Sequence, residues 1–230
     1  MKALLFTETA IIPIKYRRVI TALKYLKYLL ELPPDTYAAH AMRDSLSLAS
    51  LGKPCWVMDI LYVLKKLPFQ VHTLDITCPS PEKVDDTIKS VLHGLANHLQ
   101  QLIDNSPKSY LLMGRMERDD KGKLTHKTMH FRHYLKVEDY NHRKAITRIV
   151  LSCHSLAIER LRWHRPIIPR QDRLCRFCRR KIETPEHALL ECKDNSQILN
   201  IQEKFSADIA LTGIDANSDE QGLTPGFEGF

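Results

Sequence analysis

Nowhere do these 230 residues hold an unbroken apolar stretch of the roughly 18 to 20 residues that a membrane span requires, so no membrane partner is expected. The N-terminal run MKALLFTETAIIPIKYRR is interrupted by Thr7, Glu8 and Pro13, and reads as neither a signal peptide nor a transmembrane helix. Glycine is scarce, at 8 residues, and aromatic side chains make up only 7%, which sets the chain apart from fibrous and low-complexity sequences. Cysteine is too sparse and too scattered for a disulfide framework, because Cys55, Cys78 and Cys153 each stand alone. A reducing, intracellular setting is the expectation, with nucleus and cytoplasm both open.

Two stretches lack charge of one sign. Residues 143 to 181 carry 12 Lys and Arg against only Glu159 and Asp172, whereas residues 194 to 230 carry Lys204 alone against seven acids. Residues 1 to 110 are nearly balanced, with 13 bases and 10 acids, so the formal net charge of +7 is concentrated in one region. Such a region attracts polyanions.

What is present is apolar periodicity, within a composition that is 43% hydrophobic. From Tyr16 to Leu32, Val19, Ile20, Leu23, Leu26, Leu29 and Leu30 recur at three- and four-residue spacing, which predicts an amphipathic helix ended by Pro33 and Pro34. Further helices are predicted over Asp35–Leu51, closed by Gly52, over Pro54–Leu67, and over Pro81–Ile103. Residues 68 to 81, rich in Val, Thr and Ile, read as an extended connector, and 114 to 127 as a polar exposed loop in which Asp119 and Asp120 sit at a turn tip. One long helix is predicted from Val137 to Trp163, broken afterwards by the prolines of HRPIIPRQD.

The fold class is therefore all-α: a helical bundle-like domain followed by a small CCHC zinc knuckle. Residues 1–112 would form the helical domain, 113–136 an exposed loop or linker, 137–170 a long basic helix and connector, 171–195 the knuckle, and 196–230 a short helix and disordered acidic tail.

The knuckle rests on CRFCRRKIETPEHALLEC, residues 175 to 192, with the spacing C-x2-C-x8-H-x4-C. Two cysteines two residues apart present both thiolates to one ion, and His187 and Cys192 complete with Cys175 and Cys178 a tetrahedral set suited to Zn²⁺. Thr184 can cap a short helix with Pro185 at its first position and His187 in its first turn. Cys192 lies five residues beyond His187, about 500° around a regular helix, so it reaches the ion only if that helix loosens at its end. Four protein ligands close the site and leave no open catalytic position. Arg173, Arg176, Arg179, Arg180 and Lys181 crowd the first two ligands, with Arg162 and Arg165 just upstream, and could hold phosphates. Phe177 and Trp163 could stack on unpaired bases, although Trp163 reads equally well as core.

These residues also carry a resemblance. HRKAITRIVLSCHSLAIERLRWHR, then PRQDRLCRFC, then ETPEHALLEC resembles the C-terminal region that follows the polymerase in reverse transcriptases of non-LTR (LINE-type) retrotransposons, particularly fungal ones. The family ending maps onto Cys175, Cys178, Glu183, Thr184, His187, Leu189, Leu190 and Cys192, and YRRVITALKYLKYLLELPPDTYAAHAMRDSLSLASLGKPCWVMDIL resembles the helical segment upstream. The polymerase of that family needs a Tyr/Phe-x-Asp-Asp hairpin. This chain offers only ERDD in a polar loop.

The resemblance implies a post-polymerase piece that binds nucleic acid, single-stranded or structured RNA ahead of DNA, and that is not itself an enzyme. One rival is a protein-interaction module whose zinc only closes the fold, or a non-functional fragment. Another is a hydrolase built on Cys153 and His154, disfavoured because neighbours on a helix point about 100° apart.

Overall fold

The computed structural model describes residues 2–72, 75, 79–118, 123–125 and 128–211, with side chains as far as residue 208. Cys78, part of the 68–81 connector, the Asp119–Asp120 turn and the acidic tail beyond Leu211 lie outside the described residues. The chain divides into two compact units, Met1–Leu151 and Ser152–Phe230.

A first helix, α1 (Lys2–Thr9), was not legible as one in the sequence; it buries Ala3, Leu4, Thr7 and Glu8. The next four follow the apolar pattern to within two residues: α2 (Ile14–Glu31), α3 (Tyr37–Ser50), α4 (Trp56–Lys65) and α5 (Pro81–Asp104). Their starts are chemically marked. Thr36 Oγ1 accepts the Ala39 N–H at 3.3 Å, and Ser80 Oγ accepts the Lys83 N–H at 3.4 Å ahead of Pro81. Gly52, at φ +67°, takes the left-handed turn that ends α3.

The α2 helix packs on α3, α4 and α5, and α5 also receives α1. Leu23, Leu26, Val57, Val84, Val91 and Leu95 are wholly inaccessible, each worth about 1.5–3 kcal/mol of burial, and form one contiguous core. Phe69 stacks on Tyr16 at 5.8 Å and lies so close to α5 that a Cβ at Gly94 would be 2.3 Å from its ring. A smaller cluster joins Leu4, Ile103 and Leu112 to Val150 and Leu151.

Two expectations are corrected. Residues 113–136 are not simply an exposed loop: Glu117–Arg118 and Leu124–Thr125 pair as a two-residue antiparallel ladder, and Arg132 is 6% exposed. Arg132 lies there because Glu8, itself buried on α1, gathers Arg115 (3.0 Å), Arg132 (3.3 Å) and the Tyr134 hydroxyl (2.9 Å). Burial, and then the Glu8 carboxylate, push the Tyr134 phenol well above its usual range, so it stays a donor.

The helix expected over 137–163 is two. The α6 helix (Tyr140–Val150), capped by Asp139, ends at Leu151; Ser152 turns to φ +50°, and α7 (Ala157–Arg160) starts afresh and tightens into a 3₁₀ turn over Leu161–Trp163. The apolar spacing runs through the break unchanged, so the cause is tertiary. The Glu183 carboxylate accepts the Ala157 N–H and fixes a new helix start there. A final helix, α8, spans Ser196–Leu211. Among the described residues no helix is long and apolar enough to cross a membrane.

Candidate metal centre

Residues 173 to 183 form a tight hairpin. Leu174 and Ile182 bridge antiparallel, Cys175 N–H donates to the Lys181 carbonyl at 2.8 Å, and Glu183 N–H to that of Arg173 at 3.0 Å. Within it the x2 spacing closes a turn in which Arg179 N–H donates to the Cys175 carbonyl at 2.9 Å, and Arg179 takes φ +52°. Both thiols thereby point to one side. The second ligand pair comes from a short helix: Thr184 Oγ1 accepts the His187 N–H at 3.1 Å, the cap its sequence position suggests.

The turn from His187 to Glu191 is a π-turn rather than an α-turn, and Cys192 N–H donates back to the His187 carbonyl at 2.8 Å. This is the loosening that a five-residue spacing requires. One extra residue in the turn lets Cys192 come round over His187. Cys175 Sγ and Cys192 Sγ are 3.8 Å apart, Cys178 Sγ and His187 Nε2 are 3.3 Å apart, and all four ligand atoms lie within 4.8 Å of one another. Cys175, His187 and Cys192 are buried and Cys178 half-buried, so the four can hold a metal ion shielded from solvent.

The electrostatics suit a cation. The backbone N–H groups of Arg180 and Lys181, with His187, draw the Cys178 thiol down to about 6, while burial pushes the Cys175 thiol up. Two thiols in one site are thereby differentiated: Cys178 offers a thiolate at neutral pH, and Cys175 needs an ion to stay ionised. His187 Nδ1 faces Glu191 Oε2 at 3.4 Å, which leaves Nε2 toward the sulfurs, and Lys181 holds that carboxylate at 3.2 Å.

Glu183 is the residue whose role sequence reasoning missed. It is fully buried, and although burial pushes its carboxyl up, Arg176 and the Ala157 N–H hold it below the usual carboxylate value. Arg176 also donates to the Ser155 carbonyl at 2.8 Å, and Arg173 donates to the carbonyls of Ile158 (2.9 Å) and Ile168 (3.0 Å). The two arginines thus tie the hairpin to residues 155–168. The lone signal for this was an acid two residues after the basic run that ends at Lys181.

The other expected contact residues divide. Arg180 pairs with Asp194 (2.7 Å), Lys181 with Glu191, and Arg162 with Glu159 (3.5 Å). Arg165 and Arg179 are exposed, Phe177 is 37% exposed between the two ligand cysteines, and Trp163 is 71% exposed rather than core. Cys153 and His154 are not on a helix, as the hydrolase argument supposed; Cys153 is exposed while both ring nitrogens of His154 are buried without a hydrogen-bond partner. Among the described residues the His154 ring is therefore not hydrogen-bonded to Cys153, as a base would be to its nucleophile. No protein-family model, curated protein or solved structure matches this chain.

Proposed function

We propose that the C-terminal unit is a zinc-stabilised module that binds single-stranded or structured RNA, an accessory region of the kind that follows a retrotransposon polymerase, with no catalysis of its own. The observation that carries it is the closed four-ligand geometry. Zinc–sulfur bonds of about 2.3 Å in a tetrahedron set two sulfurs about 3.8 Å apart, the separation of Cys175 and Cys192. Three thiolates and one imidazole favour zinc over harder ions, and a full protein ligand set is structural rather than catalytic. The ion, when bound, cross-links the hairpin to the π-turn and supplies folding free energy that so small a module lacks.

Toward RNA the module offers Phe177, an exposed aromatic face, and the exposed cations Arg165 and Arg179, which among the described residues are in no ion pair. A second reading, a zinc-closed protein-interaction module, draws on the ion pairing of Arg162, Arg176, Arg180 and Lys181, which lowers the charge left for phosphate.

Metal analysis of protein purified without chelator, with oligouridylate binding measured across a salt series, tests the proposal. One zinc per chain is expected, with Phe177→Ala weakening binding about five-fold at unchanged melting temperature. Zinc below half an equivalent overturns the metal assignment. A Phe177→Ala protein that melts lower but binds as before, or full competition by heparin, supports the interaction reading instead.

A further inference from the structure

From Ile14 to Leu30 the α2 helix carries five bases and no acid. Lys27 is tied to Asp85 and Glu31, but Lys15, Arg17, Arg18 and Lys24 are exposed, and among the described residues none is in an ion pair. Along the same exposed side stand Tyr25 and Tyr28, 53% and 55% accessible, their rings 6.0 Å apart and only 24° from parallel. Tyr25 in turn meets the edge of Trp56, at the start of α4, at 5.7 Å. Trp56 is anchored against the core and steadies the row, so these rings are pre-arranged rather than loose.

We propose that this face of α2, with Trp56, is a second binding surface for single-stranded nucleic acid, in the N-terminal unit and independent of the metal centre. A purely apolar partner has no use for a 17-residue helical run without an acid, and a purely anionic one has no use for half-exposed, near-parallel rings. An unpaired nucleotide uses both, its base stacking on an aromatic face and its phosphate meeting a cation. Arg18 and Tyr25 share one helical side, being seven residues apart, and Arg17, Lys24 and Tyr28 lie beside them, so three charges and two rings fall within about 120° of the helix circumference.

The test uses the full-length protein and a 12-nucleotide oligouridylate carrying 5-iodouridine. Photo-crosslinks at Tyr25, Tyr28 or Trp56 are expected, and they persist in Cys178→Ser protein. Tyr25→Leu with Tyr28→Leu should weaken binding about five-fold or more, and Arg17→Gln, Arg18→Gln and Lys24→Gln together should reduce the salt slope by about 2. The triple variant alters only exposed side chains, so it keeps the test valid if the tyrosine pair misfolds. The proposal fails if neither variant changes affinity. It fails equally if crosslinks on α2 vanish in the Cys178→Ser protein, or if the wild type sediments as a dimer that the tyrosine pair dissociates.

Discussion

Cys192 donates its backbone N–H to the carbonyl of His187, five residues earlier, at 2.8 Å. The gathering of the four candidate ligands depends on that one wide turn. Deleting Leu189, an exposed residue within it, should restore an ordinary α-turn and keep Cys192 over His187, with thiolate-to-cobalt(II) charge-transfer absorption retained. Inserting an alanine after Leu189 should turn Cys192 away and abolish that absorption. If both variants bind cobalt alike, the turn does not set the ligand register.

Removing one member of the Glu183–Arg176 pair should be costly. Arg176→Ala strands a fully buried carboxylate, and a loss of about 2–3 kcal/mol is expected, below the roughly 3–5 kcal/mol of a fully buried pair because the guanidinium is 41% exposed. Glu183→Gln with Arg176→Gln together should cost less than Arg176→Ala alone. Denaturant melts of the metal-loaded protein measure both.

Position 179 separates backbone strain from charge. Arg179 at φ +52° holds a conformation that side chains with a Cβ resist, so Arg179→Gly should stabilise the C-terminal unit by up to about 1 kcal/mol, whereas Arg179→Val should destabilise it. Either variant removes an exposed cation, and the salt slope for oligouridylate should fall by about 0.7. Thermal melts and a salt titration on the same preparations read the two effects apart.

Acid should weaken the C-terminal unit through His154. Burial lowers its affinity for a proton below the ordinary imidazole value of 6.5, against the opposing pull of Glu159, Glu183 and Glu186. The unfolded chain takes up that proton near pH 6.5 and the folded chain resists, so this contribution to stability is present above 6.5 and declines as pH falls below it. His154→Asn should flatten the slope of melting temperature against pH between 7 and 5.5. An unchanged slope would assign the acid sensitivity to other groups.

At Gly94, alanine should destabilise a helix that it would ordinarily favour by about 1 kcal/mol, because its Cβ meets the Phe69 ring at 2.3 Å. Phe69→Leu in the same chain should recover part of the loss. A Gly94→Ala protein that melts higher than wild type would show that the ring moves freely.

What the sequence disclosed was local. Helices α2 to α5 were readable because Leu23, Leu26, Val91 and Leu95 repeat at the helical period and Pro33, Pro34, Gly52 and Pro81 punctuate them. The four ligands were readable because they fall within 18 residues. The missed features are joined across distance: Arg115 and Tyr134 reach Glu8 over 107 and 126 residues, and Glu183 reaches back 26 residues to start α7. Periodicity could not show the break after Leu151, since Ile149, Val150 and Ala157 keep a helical spacing across it. Nor could the surplus of basic residues show which cations were already paired.

The amide of Ala157 is bonded to a carboxylate that stands between the two ligand pairs. Its proton can trade with deuterium from the solvent only when Glu183 lets go, and Glu183 is held by the hairpin that carries Cys175 and Cys178. An ion that tightens this hairpin should therefore slow exchange at this single amide. A residue 18 positions upstream of the first ligand would then report, through its own exchange rate, whether the four ligands are loaded.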